Sequence, residues 1–147
     1  MTIRYITLED VAQLQALDEK CFSNEVRYNR YDLAYYISLE DSIGLIETLE
    51  KSDTMLSFLI VTMFSHNTAN IVTIDVEPAF RNQGIGSRLI NAVKIILQES
   101  KINKITLQVS IKNTPAINFY RKHGFEVIRL LPNYYPSSDG YQMVCLL

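Results

Sequence analysis

Arg81-Asn82-Gln83-Gly84-Ile85-Gly86-Ser87 is the stretch on which the reading of this chain turns. Before it, residues 70–77 alternate as a strand; after it, Leu89, Ile90, Val93, Ile96 and Leu97 recur on one helical face to about residue 99. Two glycines at such a junction let the backbone approach a ligand and aim several N–H groups into one concavity at the positive end of a helix. That predicts a phosphate site. The stretch is not a Walker A loop, because no Lys-Ser/Thr pair follows the second glycine, and not a Rossmann fingerprint, because Leu89 stands where the third glycine belongs. Taken alone, the two glycines also suit an ordinary strand-to-helix turn.

Upstream, residues 2–7 read as a strand, and Thr7 with Asp10 caps a helix carrying Val11, Leu14, Leu17 and Cys21 at helical spacing. Residues 28–39, with tyrosines at 28, 31, 35 and 36, predict a second short helix. Strands follow at 44–50, 55–64 and 70–77, joined by polar turns. Downstream, residues 104–111 alternate strictly as a strand. Thr114 before Pro115 opens a helix that stops at Gly124. A strand at 125–130, a loop at 132–139 rich in Pro, Tyr and Ser, and a last strand from Tyr141 complete the chain. The expected architecture is one mixed α/β domain over residues 1–147, in the order β-α-α-β-β-β-α-β-α-β-β, with helices on both faces of a central sheet.

With 48% hydrophobic residues in 147, the chain can bury one sizeable core. A net charge of −2 gives no global basic field for nucleic acid or an anionic membrane surface. No apolar run approaches the roughly 20 residues of a membrane span, and residues 1–10 lack the apolar core of a signal peptide, so a cytoplasmic location is expected. Cys21 and Cys145 lie far apart without neighbours at ligand spacing, so both are expected to be reduced, buried, small hydrophobes and no metal site is expected.

Around the glycine loop the pattern widens. Arg-x-x-Gly-x-Gly is preceded by Ile74, Val76 and Pro78 and followed by Asn113, Pro115, Ala116, Ile117, Tyr120 and Gly124-Phe125. From about Ile3 to its end the chain resembles the GNAT superfamily of acetyl-CoA-dependent N-acetyltransferases. The run LQVSIKNTPAINFYRKHGF, with Asn133, Tyr134 and Tyr135 after it, resembles the protein N-terminal acetyltransferases, the branch that includes ribosomal-protein acetyltransferases. The resemblance implies a mostly antiparallel, splayed sheet and acetyl-CoA as acetyl donor, with no metal. It implies that backbone N–H groups of Asn82, Gln83, Gly84, Ile85, Gly86 and Ser87 hold the pyrophosphate beside Arg81, and that pantetheine pairs with the strand backbone at Ile74, Asp75 and Val76. Amides near Val76 would polarise the thioester carbonyl, Asn113 would touch the cofactor beyond the splay, and Tyr120 would protonate the departing thiolate.

At two positions where related enzymes often carry a base, this chain has amides, Asn70 and Gln108. Neither accepts a proton at neutral pH, so their expected role is to orient a water. An α-amine, with a pKa near 7.7–8.0, is about one-tenth neutral at pH 7, against roughly one in 2,500 for lysine, and depends far less on a strong base. His66 reads as loop; His123, in the last helical turn, suits a cation at the helix dipole and is a minor candidate. By the resemblance, Glu25, Val26 and Tyr28 on one side and Tyr134 and Tyr135 on the other flank a peptide entrance. Residues 136–140 depart from the acidic run of one subgroup. The expected activity is transfer of acetyl to the α-amine of a protein or peptide, a ribosomal protein being a candidate acceptor, by direct attack in a ternary complex. The alternatives are a small-amine acetyltransferase and a silent acyl-CoA-binding module.

Overall fold

The computed structural model describes residues 2–23 and 26–147. Seven strands form one sheet, β1 (Thr2–Tyr5), β2 (Ser42–Thr48), β3 (Met55–Met63), β4 (Thr68–Val76), β5 (Lys104–Ser110), β6 (Glu126–Tyr135) and β7 (Ser138–Leu146), in the order β1-β2-β3-β4-β5-β7-β6. Four helices accompany it: α1 (Val11–Cys21), α2 (Arg30–Ser38), α3 (Ile85–Glu99) and α4 (Thr114–Lys122). Every neighbouring pair of strands is antiparallel except β4 and β5.

The two faces of the sheet bury separate cores, as the alternation predicts. Leu45, Leu59, Ile71, Leu107 and Val109 pack with Leu89, Ile90, Val93 and Leu97 of α3 and Ile117 of α4. Ile46, Phe58 and Ile60 pack on the other face with Leu14 and Leu17 of α1 and Leu33 of α2. Ile60 pairs with Thr73 and the next residue, Val61, with Ile71, so Val72 bulges out of β4.

One expected segment is corrected. The loop expected at 132–139 is the tip of a hairpin, since β6 runs to Tyr135 and β7 starts at Ser138. Its ladder breaks between Leu131 and Tyr135, where Asn133 adopts φ 53° and its N–H donates to Asp139 Oδ1 at 2.8 Å. Proline and asparagine thus mark an irregular strand here, and the neighbouring ladder carries it through. Cys145 is buried as expected, but Cys21 is only half-buried; both are free thiols.

Candidate active site

β4 and β5 are in register for only three residue pairs, Thr68 to Asn70 with Lys104 to Thr106, and then part. The gap is a cleft of about 620 Å³, reached by Val72, Thr73, Ile74 and Val76 from one strand and Gln108, Val109 and Ser110 from the other. The glycine loop closes one end. Asn82 (φ 62°) and Gly84 (φ 78°) are both left-handed, and α3 starts at Ile85 with no side chain capping its N-terminus. Its first-turn N–H groups, unpaired within any helix, therefore face the cleft, which Asn82, Gly84, Ile85, Gly86 and Ser87 line. A Cβ on Gly86 would lie 3.1 Å from Phe119 Cζ and 3.4 Å from Val76 Cγ2, so this backbone sits as deep as it can. An uncapped helix start joined to a splayed strand edge fits a phosphate followed by an extended, hydrogen-bonding chain.

Not every expected contact lines the cleft. Gln83 is exposed at the loop tip, away from the lining. Arg81 lines the cleft and folds its guanidinium back, Nε donating to Val76 O at 3.2 Å. Asn113 lines it too, and caps α4 by accepting from Ala116 N at 3.3 Å, one residue earlier than the expected helix start. The Asp75 side chain turns to the opposite face of β4, so only its backbone is left for the splayed edge.

Tyr120 stands at the centre because α4 buries Ile117 and Tyr120 three residues apart on one face. Its ring packs edge-on against Phe119 and Phe125. Burial, and then the charge of Asp75, push the phenol well above its ordinary pKa, so it stays a neutral proton donor at any working pH. Asn70 and Gln108 meet: Asn70 Oδ1 accepts from Gln108 Nε2 at 3.1 Å and from Thr106 Oγ1 at 2.7 Å. Gln108 reaches the cleft, and Asn70 stands behind it.

The far walls are aromatic. Tyr28 and Val26 line one side; Tyr134 and Tyr135, edge to face at 5.0 Å, line the other. Tyr28 Oη donates to Val72 O at 3.3 Å, which holds its ring at the bulge. Burial pushes the Tyr28 phenol far up and Tyr135 up to about 12. Glu25 lies outside the described residues. His123 does not behave as a cation at the helix end. Burial, with Lys94 and Lys122 nearby, lowers its pKa, and Nε2 lies 2.8 Å from Ser87 Oγ.

Sequence reading missed a buried acid cluster behind the cleft. Asp18 of α1 is fully buried and Asp75 is 1% exposed, and burial, with Asp18 nearby, raises the Asp75 carboxyl well above its ordinary range. Thr73 Oγ1 donates to Asp75 Oδ1 at 2.7 Å, and Tyr28 N to Asp18 Oδ2 at 2.6 Å. The available signal was Asp75 as the one charged residue in the mostly apolar run Ile71 to Val76, and Asp18 one turn on from Leu14.

The Acetyltransferase (GNAT) family model matches residues 11–125. The chain belongs to the GNAT acetyltransferase family. GNAT enzymes take their acetyl group from acetyl-CoA, whose phosphates and pantetheine suit the cleft just described. Over 99% of its length the chain is 26% identical to an N-alpha-acetyltransferase of Sulfurisphaera tokodaii, spanning 92% of that protein. It is also 30% identical, over 97% of its length, to an uncharacterised Mycobacterium leprae protein, of which it spans only 40%. Among solved structures it superposes on Ard1 from Thermoplasma volcanium with a TM-score of 0.89 at 27% identity, covering 99% of this chain and 97% of that one. Among the described residues no helix is long and apolar enough to cross a membrane.

Proposed function

We propose that this GNAT protein acetylates the α-amino group of protein or peptide N-termini by direct attack in a ternary complex. The observation that carries the reading is the lining of the cleft. It runs between two aromatic walls to Tyr120, and among the described residues neither a carboxylate nor an imidazole lines it. Among the described residues such a cleft has no acidic wall for a polyamine and no base to strip a lysine ammonium. It suits an amine already partly neutral at pH 7. The naming of the archaeal relative as an N-alpha-acetyltransferase points the same way.

In this reading acetyl-CoA supplies a thioester-activated acetyl group. The N–H groups of Asn82 and Gly84 to Ser87 hold its phosphates, and the β4 edge at Ile74 to Val76 holds the pantetheine and polarises the carbonyl. Tyr120 gives its phenolic proton to the leaving sulfur. Gln108, fixed by Asn70, orients a water beside the amine. Val26, Tyr28, Tyr134 and Tyr135 grip the first residues of the acceptor, apolar faces to side chains and hydroxyls to backbone.

The test is mass spectrometry of short peptides varied at the first two residues, each also supplied with a blocked N-terminus and a free internal lysine, together with spermidine. Acetylation confined to free N-termini is expected. Modification of lysine or spermidine in preference to N-termini would overturn the reading.

A further inference from the structure

The first turn of α3 is bonded to the end of α4. The first internal hydrogen bond of α3 runs from Arg88 N to Gly84 O at 3.0 Å, so Ser87 carries the last N–H before it that has no partner within the helix. Ser87 also lines the cleft, and its Oγ lies 2.8 Å from Nε2 of His123, the residue that ends α4. Other contacts hold this imidazole where it is. Phe119 packs on it with ring centroids 4.8 Å apart, and the same Phe119 ring is what a Cβ on Gly86 would meet at 3.1 Å. Lys94 of α3 donates to the His123 carbonyl oxygen, and the Cys145 thiol of β7 reaches that oxygen at 3.7 Å. His123 is thus pinned between the helix that begins at the glycine loop and the helix that carries Tyr120.

The charges that act on the imidazole are of one sign. Lys94 of α3 and Lys122 of α4, the latter also lining the cleft, disfavour a proton on it, as does burial. The start of α3 adds the positive end of its dipole. A protonated His123 would be a further cation crowding one end of an empty cleft, and its pKa is accordingly lowered. An anion resting on the first-turn N–H groups reverses this balance. It would lie one serine away from the imidazole, well inside the roughly 8 Å over which charges act at physiological salt.

We propose that His123 is a positioning residue for the cofactor: it anchors Ser87 in the first turn of α3 and takes up a proton when the phosphates of coenzyme A settle there. A neutral imidazole either gives or accepts the hydrogen bond with Ser87 Oγ, whereas an imidazolium can only give it. Proton uptake therefore fixes Nε2–H as the donor, strengthens the bond and sets a positive charge behind the phosphates. The coupling is reciprocal. Bound cofactor raises the pH at which His123 loses its proton, and the cofactor binds more tightly as pH falls through that range. This role rests on the placement of the phosphates at Asn82 and Gly84 to Ser87 in the reading above, and adds to it a residue outside the cleft lining. It does not depend on which amine is acetylated.

Two measurements test it. The chain has two histidines, and His66 is exposed in the turn between β3 and β4, so imidazole NMR signals followed from pH 4 to 9 give His123 beside an internal reference. Saturation with coenzyme A is expected to raise the His123 midpoint by about one pH unit and to leave His66 where it was. The amide signals of Gly84 and Gly86 in the same samples report where the phosphates rest. If those amides move and the His123 midpoint does not rise, the proposal alone is overturned; if they stay still in the saturated protein, the placement of the phosphates falls and the proposal with it. The second measurement is calorimetric titration of coenzyme A into the wild type and His123→Gln, which keeps an N–H for Ser87 without titrating. The two are expected to bind alike at pH 8, and the wild type about tenfold more tightly at pH 5. Comparison with the variant cancels the ionisation of the coenzyme's own phosphate near pH 6. A ratio of affinities that is the same at both pH values would overturn the proton uptake.

Discussion

Replacing Asp75 by Asn is expected to make the protein more stable. Asp75 is almost wholly buried, and burial together with Asp18 pushes its carboxyl well above the usual carboxylate range. Above about pH 4 the unfolded chain gives up the Asp75 proton while the native protein keeps it, so the native state binds more protons and stability falls as pH rises. The stabilising contribution of this group is fully present below about pH 4 and is lost as pH climbs through the native value. Asparagine keeps the shape, accepts from Thr73 and offers an N–H to Asp18 without titrating. Neutral replacement of buried ionisable groups ranges from no effect to a gain of about 4 kcal/mol, and the amide's second N–H, left without a partner, costs about 1 kcal/mol. The net expectation is a gain of about 1–2 kcal/mol at pH 8, or roughly 2–8 °C in Tm for a chain of this size. Calorimetry of both proteins from pH 4 to 8 measures it, with the difference growing as pH rises. A variant that melts lower at pH 8, or a difference independent of pH, would refute the reasoning.

Tyr120→Phe is expected to lower kcat on the order of 10²-fold with KM for acetyl-CoA nearly unchanged; the loss sits at the low end for general acids because a thiolate leaves readily without one. Steady-state kinetics with a peptide acceptor reads both constants. Gly84→Ala forces alanine to φ 78°, a strain of about 1–2 kcal/mol. The loop is expected to relax by turning its N–H groups off the phosphates, so the affinity for coenzyme A in calorimetric titration falls about tenfold. At the sheet edge, Arg4 grips Asp10 with two bonds of 2.9 and 2.8 Å and holds its carboxyl below the usual range. Here the stabilisation exists above about pH 4 and is lost as pH falls through the native value. Asp10→Asn is expected to cost about 1 kcal/mol at pH 7 and nothing at pH 2, as read by urea unfolding at each pH.

Most of the architecture was legible because it depends on periodicity. Lys104 to Ser110 alternates one face in and one face out, and Leu89, Ile90, Val93 and Leu97 recur at helical spacing; no tertiary partner is needed to see either. The loop between β4 and α3 was legible for the same reason, since two glycines at a change of period mark a backbone that must approach something. The segment at 132–139 was misread because Pro132, Asn133 and Pro136 are breakers locally, and only pairing with β7 holds 132–135 as strand. His123 looked like a cation by its place in a helix, but burial and two nearby lysines lower its pKa.

By itself, then, the order of residues determined the α/β framework, the phosphate-facing loop and the helix that presents Tyr120, because each is written in spacing along one segment. Tertiary structure alone decided the rest. The width of the cleft follows from where β4 and β5 stop pairing, which no local spacing reveals. The Asp18–Asp75 contact joins residues 57 positions apart, and nothing in either local sequence tells one carboxyl that the other will be buried beside it. Desolvation and proximity, which shift charge and pass protons, are properties of the packed interior, and they arise only when the chain has closed on itself.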